Sequence, residues 1–403
     1  MRSLPKLRHA YLLVVAFAAL VPILHAADFD EAKLDLIRPR MQRFVDDHQI
    51  AGAVTVVGTS KGIVRLETVG NLRLDPAEPM PKDAIFRIAS MTKPITAAGI
   101  MILADEGKLK VTDAVEKYLP EFRGQMMIAE RGDDRLLLKK PARPITLHDL
   151  LTHTSGLAGY PQALNLYQKR DRTLAEGTLA VSQRPLEFEP GSKWSYCNSG
   201  IDTLGRIIEV VSGKDYENFL AQRIFIPLRM KDTTFRPSKE QLPRLAGLYG
   251  IKDGKLAPAA NAIIGPPANM RHPIPAGGLY STGADMARFY RMMLNGGALD
   301  GERILTEDSV KAMTRVQTGD LKCGFTPGMS HGLGFAVVRE PQGITAMLSP
   351  GSFGHGGAYG TQSWADPKRD VFYVLLIQRT GLPNSDASPM RGEFQRLAAE
   401  ACK

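Results

Sequence analysis

The chain has 403 residues, 44% of them hydrophobic and 23% charged, which is ordinary globular usage and excludes a disordered, collagenous or multi-span membrane protein. The formal charge of +9 is spread along the chain with no dense basic run interleaved with aromatics, so no nucleic acid is expected as a partner. Three cysteines, Cys197, Cys323 and Cys402, form neither a disulfide framework nor a CxxC or Cys/His cluster, so no metal is expected either.

At the N-terminus, Arg2, Lys6, Arg8 and His9 precede the apolar run AYLLVVAFAALVPIL at 10–24, and His25-Ala26-Ala27-Asp28 follows it. A basic start, a short apolar stretch and small residues at the exit read as a secretory signal peptide over residues 1–27. The protein is therefore expected to be exported, periplasmic or secreted, with no stable membrane span after cleavage; an uncleaved anchor is the alternative. Residues 28–403 read as one domain. Leu34, Ile37, Met41 and Phe44 recur at helical spacing within 29–48, where Pro39 should kink the helix. AGAVTVVGTS and GIVRLETVGNL, joined by Thr59 to Gly62, predict a β-hairpin. The middle of the chain is helical in period, with an inserted, mainly helical subdomain at about 105–270. After residue 330 the runs LGFAVV, GITAML, AYGTQSWAD and VFYVLLIQR predict strands, the last two separated by the turn PKRD, and a helix closes the chain at about 388–401. Sheet segments from both ends around a helical middle predict an α+β fold, an antiparallel sheet flanked by N- and C-terminal helices.

Gly58-Thr59-Ser60-Lys61-Gly62 matches GxSxG, but a nucleophile elbow needs a helix after the serine and IVRLETVG reads as a strand. Ser60 is therefore assigned to the hairpin tip. Ser90-Met91-Thr92-Lys93 is more informative, because positions i and i+3 share a helix face and the amine could take or relay the hydroxyl proton. Pro94 is tolerable in the first turn, and the helix N-terminus favours an alkoxide and a developing oxyanion. By itself SxxK is cheap, since Ser3-Leu4-Pro5-Lys6 also matches. Tyr196-Cys197-Asn198 follows a Pro/Gly-rich approach that suits a cleft edge; a tyrosine beside a lysine could have its pKa lowered and act as the base, while Asn198 could bind substrate or fix the lysine. The second YxN, at Tyr216 and Asn218, lies in an amphipathic helix and reads as packing. In Gly354-His355-Gly356-Gly357-Ala358, opening the strand AYGTQSW, Gly356 and Gly357 would let a substrate lie on the backbone and the Ala358 N–H could serve as an oxyanion donor.

Ser90-x-x-Lys93, Tyr196-x-Asn198 and His355-Gly356-Gly357, in that order and at those separations, resemble the serine β-lactamase and penicillin-binding protein superfamily. ITLHDLLTHTSGL, FEPGSKWSYCNSG and PAGGLYSTGADMARFYRMMLNGG agree with it, and the pattern is most similar to class C β-lactamases and the esterases built on their fold. The resemblance implies a β-lactamase/transpeptidase-like fold, Ser90 as acylated nucleophile, proton transfer shared by Lys93 and Tyr196, Asn198 on lysine or substrate, and an oxyanion hole from the Ser90 and Ala358 amides. His355 departs from the lysine usual in the lactamase version. A histidine is largely neutral at pH 7 and favours neutral esters over carboxylate-bearing lactams, although some D-alanyl-D-alanine peptidases carry it. His153 is expected to tie a loop together, Cys197 to be a small buried hydrophobe, and Trp194 and Tyr359 either to form an acyl pocket or to pack under the loop. These expectations converge on an exported serine hydrolase without cofactor, a carboxylesterase acting on a small-molecule ester or amide. A β-lactamase, a D-alanyl-D-alanine carboxypeptidase and a non-catalytic peptidoglycan- or ligand-binding envelope protein are the rivals.

Overall fold

Side chains alternate across a strand, and in Gly52–Thr59 (β1) this sends Val54 and Val56 to one hydrophobic cluster and Ala53 and Val57 to another. A strand buried on both faces belongs in the middle of a layered sheet. The computed structural model, which describes residues 28–259 and 270–403, places it there; the expected signal segment lies outside the described residues. The sheet continues with β2 (Gly62–Leu74), β3 (Ala77–Pro79), β4 (Met329–His331), β5 (Ala336–Val338), β6 (Phe353–Gly356), β7 (Gln362–Asp366) and β8 (Val371–Leu376). Its order is β4-β5-β6-β7-β8-β1-β2-β3, antiparallel throughout. The predicted hairpin is β1–β2, and Ser60 at its tip bonds to Asp370 through both its amide (3.1 Å) and its hydroxyl (2.8 Å).

Seven helices pack on or beside this sheet: α1 (Glu31–Leu34), α2 (Ile37–Asp46), α3 (Thr92–Asp105), α4 (Leu147–Leu151), α5 (Asn198–Ser212), α6 (Gly283–Leu294) and α7 (Pro389–Ala401). On one face of the sheet, Leu34, Ile37, Met41 and Phe44 of α1 and α2 pack with Phe394 and Leu397 of α7 against Trp364, Tyr373 and Leu375. On the other face, Val54, Phe372 and Val374 meet Met286 and Phe289 of α6 and then α3 and α5 in one continuous core. The buried stripe of α3 wraps it completely, from Thr92 to Leu103, so α3 is the axis on which the other helices pack.

Three local expectations need correction. The first helix does not kink at Pro39 but breaks before it, at Asp35-Leu36. Pro39 has no N–H to give the Asp35 carbonyl, so the break falls upstream and Pro39 sits harmlessly in the first turn of α2. GITAML is not a strand: Gly343–Thr345 forms a 3-10 turn closed by reciprocal bonds between Gln342 and Thr345. In the third motif, Phe353–Gly356 is a strand in its own right, and Ala358 and Tyr359 lie in the turn before β7, which begins only at Gln362. Residues 105–270 also carry two ribbons absent from the sequence reading, Met127–Arg131 with Leu136–Lys139 and Tyr249–Lys252 with Lys255–Pro258.

Candidate active site

Ser90 sits in the single 3-10 turn Ala89–Met91 that feeds α3. Ala89 adopts a positive φ of 46°, and the Thr92 hydroxyl donates to its carbonyl at 2.7 Å, which fixes the turn. One turn on, the fully buried Lys93 amine donates to Ser90 Oγ at 3.0 Å and to the Ala276 carbonyl at 2.7 Å. Burial strips water from this amine and pushes it down to about 7, with Asp202 pulling the other way. An amine near neutrality beside a hydroxyl can remove its proton.

Tyr196 stands just before α5 and is clamped by His153. The Ser195 N–H donates to the His153 carbonyl at 2.9 Å and the Cys197 N–H to His153 Nδ1 at 3.1 Å, so the expectation that His153 ties a loop together matches these bonds. The rings of His153 and Tyr196 lie 4.6 Å apart, and Lys93 Nζ lies 4.6 Å from the centre of the Tyr196 ring. The expected lowering of this phenol is corrected. Burial pushes it up, outweighing its hydrogen bond with Ser90, so it keeps its proton. Asn198 is the first residue of α5; it makes no bond to Lys93 among the described residues, and its buried Oδ1 has no partner. Cys197 is buried with its thiol pushed up by desolvation, as befits a small hydrophobe.

His355 closes the site from β6, bonded through Nδ1 to the Gly356 carbonyl at 2.6 Å. Burial, and then the Lys93 charge, push it down to about 3, so the ring is neutral at any ordinary pH. A Cβ on Gly357 would lie 2.2 Å from Thr361 Oγ1 and 2.5 Å from the Ile88 carbonyl, and one on Gly356 would lie 1.9 Å from Asp386 Oδ1. The bareness of Gly357 lets the chain after β6 press against Ile88 and Ala89 of the turn that carries Ser90, and that of Gly356 leaves room for Asp386 and Gln362.

Ser90, Tyr196, His355, Gly356, Gly357 and Ala358 line one cleft of about 450 Å³, with the half-exposed Phe325 at its lip. Tyr196 and Asn198 also line a second recess of about 490 Å³ beside Tyr160 and Tyr167. All eight sequence-selected residues thus border the cleft or this recess or, in the case of Lys93, lie directly behind Ser90. Trp194 lines a small cavity next to Tyr196, whereas Tyr359 is wholly buried and outside the cleft. Tyr216 is buried, its hydroxyl 2.6 Å from Thr96, as its packing assignment requires. Sequence reasoning missed Asp202, Ala276 and Phe325. For Asp202 a signal existed: it is a carboxylate on the apolar face of α5, among Ile201, Leu204 and Ile208.

Residues 35–396 match the Beta-lactamase family model. The chain belongs to the beta-lactamase family. An uncharacterized protein of Mycobacterium tuberculosis (strain CDC 1551 / Oshkosh) is 33% identical over 86% of this chain and 90% of its own length. Esterase EstB of Burkholderia gladioli is 29% identical, covering 87% of this chain and 90% of EstB. Among solved structures, EstCE1, a hydrolase with promiscuous acyltransferase activity, superposes with a TM-score of 0.77 at 22% identity, over 92% of this chain and 98% of that one. A penicillin-binding protein homolog from Caulobacter crescentus does so at 0.70 and 24%, over 92% and 97%. The β-lactamase/transpeptidase-like fold expected from the sequence is thus the fold of its structural neighbours, and the chain is a serine hydrolase of this family. Among the described residues, no helix is long and apolar enough to cross a membrane.

Proposed function

We propose that the chain is an exported carboxylesterase that works through an acyl-enzyme on Ser90. The observation that carries this reading is the Lys93 amine, buried, drawn down to about 7 and 3.0 Å from Ser90 Oγ. The neutral amine takes the Ser90 proton as Oγ attacks the ester carbonyl. The oxyanion is held by the amides of Ser90 and Ala358; in support, the Ala358 N–H donates to no backbone acceptor among the described residues. Collapse breaks the bond to the alkoxy leaving group, which receives its proton from the Lys93 ammonium through the protonated Tyr196 phenol. Water then attacks the acyl carbonyl by the same path reversed and frees Ser90. Asn198, with its unpartnered oxygen, is assigned to substrate binding.

The ester preference rests on His355. A neutral ring there offers no fixed cation to a substrate carboxylate, whereas an ester needs none. The test compares turnover of 4-nitrophenyl butyrate with that of a chromogenic cephalosporin, and preference for the cephalosporin overturns it. The D-alanyl-D-alanine carboxypeptidase alternative predicts release of D-alanine from a D-Ala-D-Ala peptide instead. A fluorophosphonate probe decides against the non-catalytic binding alternative: a mass shift on the Ser90 peptide is expected, lost in Ser90→Ala and retained in Ser60→Ala.

A further inference from the structure

Asp202 is fully buried on α5 with no Lys or Arg bonded to it among the described residues. Four groups meet its two oxygens: the Ala276 N–H at 2.8 Å, the Tyr167 hydroxyl at 2.7 Å, the Tyr160 hydroxyl at 3.1 Å and His272 Nε2 at 3.4 Å. A carboxylate costs several kcal/mol to bury, roughly, unless something compensates it, and an ionised one accepts hydrogen bonds only. What it holds is informative. The peptide whose N–H it takes belongs to Ala276, whose own carbonyl accepts the Lys93 amine at 2.7 Å. The Ala276 segment is pinned to α3 on either side, by Thr96 Oγ1 on the Pro275 carbonyl at 2.7 Å and by Thr92 Oγ1 on the Leu279 N–H at 3.2 Å.

We propose that Asp202 is a positioning residue for the Ser90 chemistry: it orients the Ala276 peptide so that its carbonyl meets the Lys93 amine, and its negative charge favours the protonated form of that amine against the effect of burial. The proposal rests on Lys93 acting as the base, as argued above. Other groups bear on the same amine from every side: Cys197 on the segment leading into α5, Asp386 before α7, Tyr196, and the histidines His153, His331 and His355. Of these, the histidines are buried and pushed down from their usual range, and the Cys197 thiol is pushed up, so all four are uncharged near neutrality. Asp386 borders the open cleft, where solvent screens it. Asp202 is the sealed charge on that amine.

The test is Asp202→Asn in the full chain, read in two ways. Lys93 is titrated directly by NMR of lysine labelled with 13C at Cε, its signal assigned by loss in Lys93→Arg, and kcat/KM for 4-nitrophenyl butyrate is followed against pH. Removing the charge destabilises the ammonium, so the Lys93 titration and the acid limb of kcat/KM both move down by about one pH unit. Asp202→Glu, which restores the charge, should bring both back towards the parent values. A limb and a titration that stay in place, with activity merely lower at every pH, overturn the proposal. A titration that moves while the limb stays supports the contact and overturns the proton role given to Lys93, so the two failures are distinct. If Asp202→Asn does not fold, Tyr167→Phe takes its place. It strips a neutral donor from the carboxylate and leaves the charge less compensated, so the Lys93 titration must move up; no movement overturns the proposal.

Discussion

A lysine amine cut off from water loses the hydration that stabilises its charge, and Lys93 has lost all of it. Because it keeps the Ser90 hydroxyl within 3.0 Å, Lys93→Ala should lower kcat/KM for a nitrophenyl ester by about 10³-fold, as loss of a general base does. With Lys93 near 7, activity should rise through neutral pH as the amine sheds its proton, and His355, held near 3, should add no second limb there. A pH profile of kcat/KM between 5 and 9 checks this. His355→Lys supplies a cation in the cleft; the ratio of cephalosporin to ester turnover should rise about 10-fold or more, a 1.4 kcal/mol preference, if the carboxylate of the lactam is what the parent enzyme fails to hold. Ser90, Lys93, Tyr196 and His355 were legible because the order and separation of their three motifs resemble a known superfamily, not because any one motif announced itself. The direction of the Tyr196 shift was not, since it is set by how deeply three converging segments bury the phenol, and Asp202 was passed over although it lies on the apolar face of α5.

Among elements, α5 and the Ala276 segment meet at Gly205, where a Cβ would fall 2.3 Å from Pro275 Cγ. Gly205→Ala must push these apart, costing about 1–3 kcal/mol by overpacking. It should also reduce turnover of a nitrophenyl ester, because Pro275 leads directly into the carbonyl that Lys93 holds. Urea unfolding and turnover, measured together, check both. The elements most legible in the sequence were those with long regular periods: the β1–β2 hairpin, β8 and α7, the last with Ser388 as N-cap and Pro389 at its first position. Short pieces were decided by their neighbours. Ile344, strand-like by type, packs over Gly392 of α7 from within a 3-10 turn, and the two ribbons of the middle region are too brief for periodicity to register.

Taken as a whole, the molecule buries three histidines around its cleft, His153, His331 and His355, all pushed below the usual range by loss of water, His331 to about 4 and His355 to about 3. Between about pH 6.5 and 4 the unfolded chain binds protons that the folded one refuses, so their contribution to stability is complete above about 6.5 and is lost as the pH falls. The urea midpoint should therefore drop between pH 7 and 4, and His331→Asn should flatten that drop. The sheet has a consequence of another kind. Its central pairing sets Val54 against Leu376 and Val56 against Val374, and β8 is the last strand of the chain. A ribosome must therefore release the chain as far as Leu376 before β1, already paired with β2, can gain its second partner. Until then the nascent chain carries β1 with one apolar edge unpaired, a template on which strands of other chains can add.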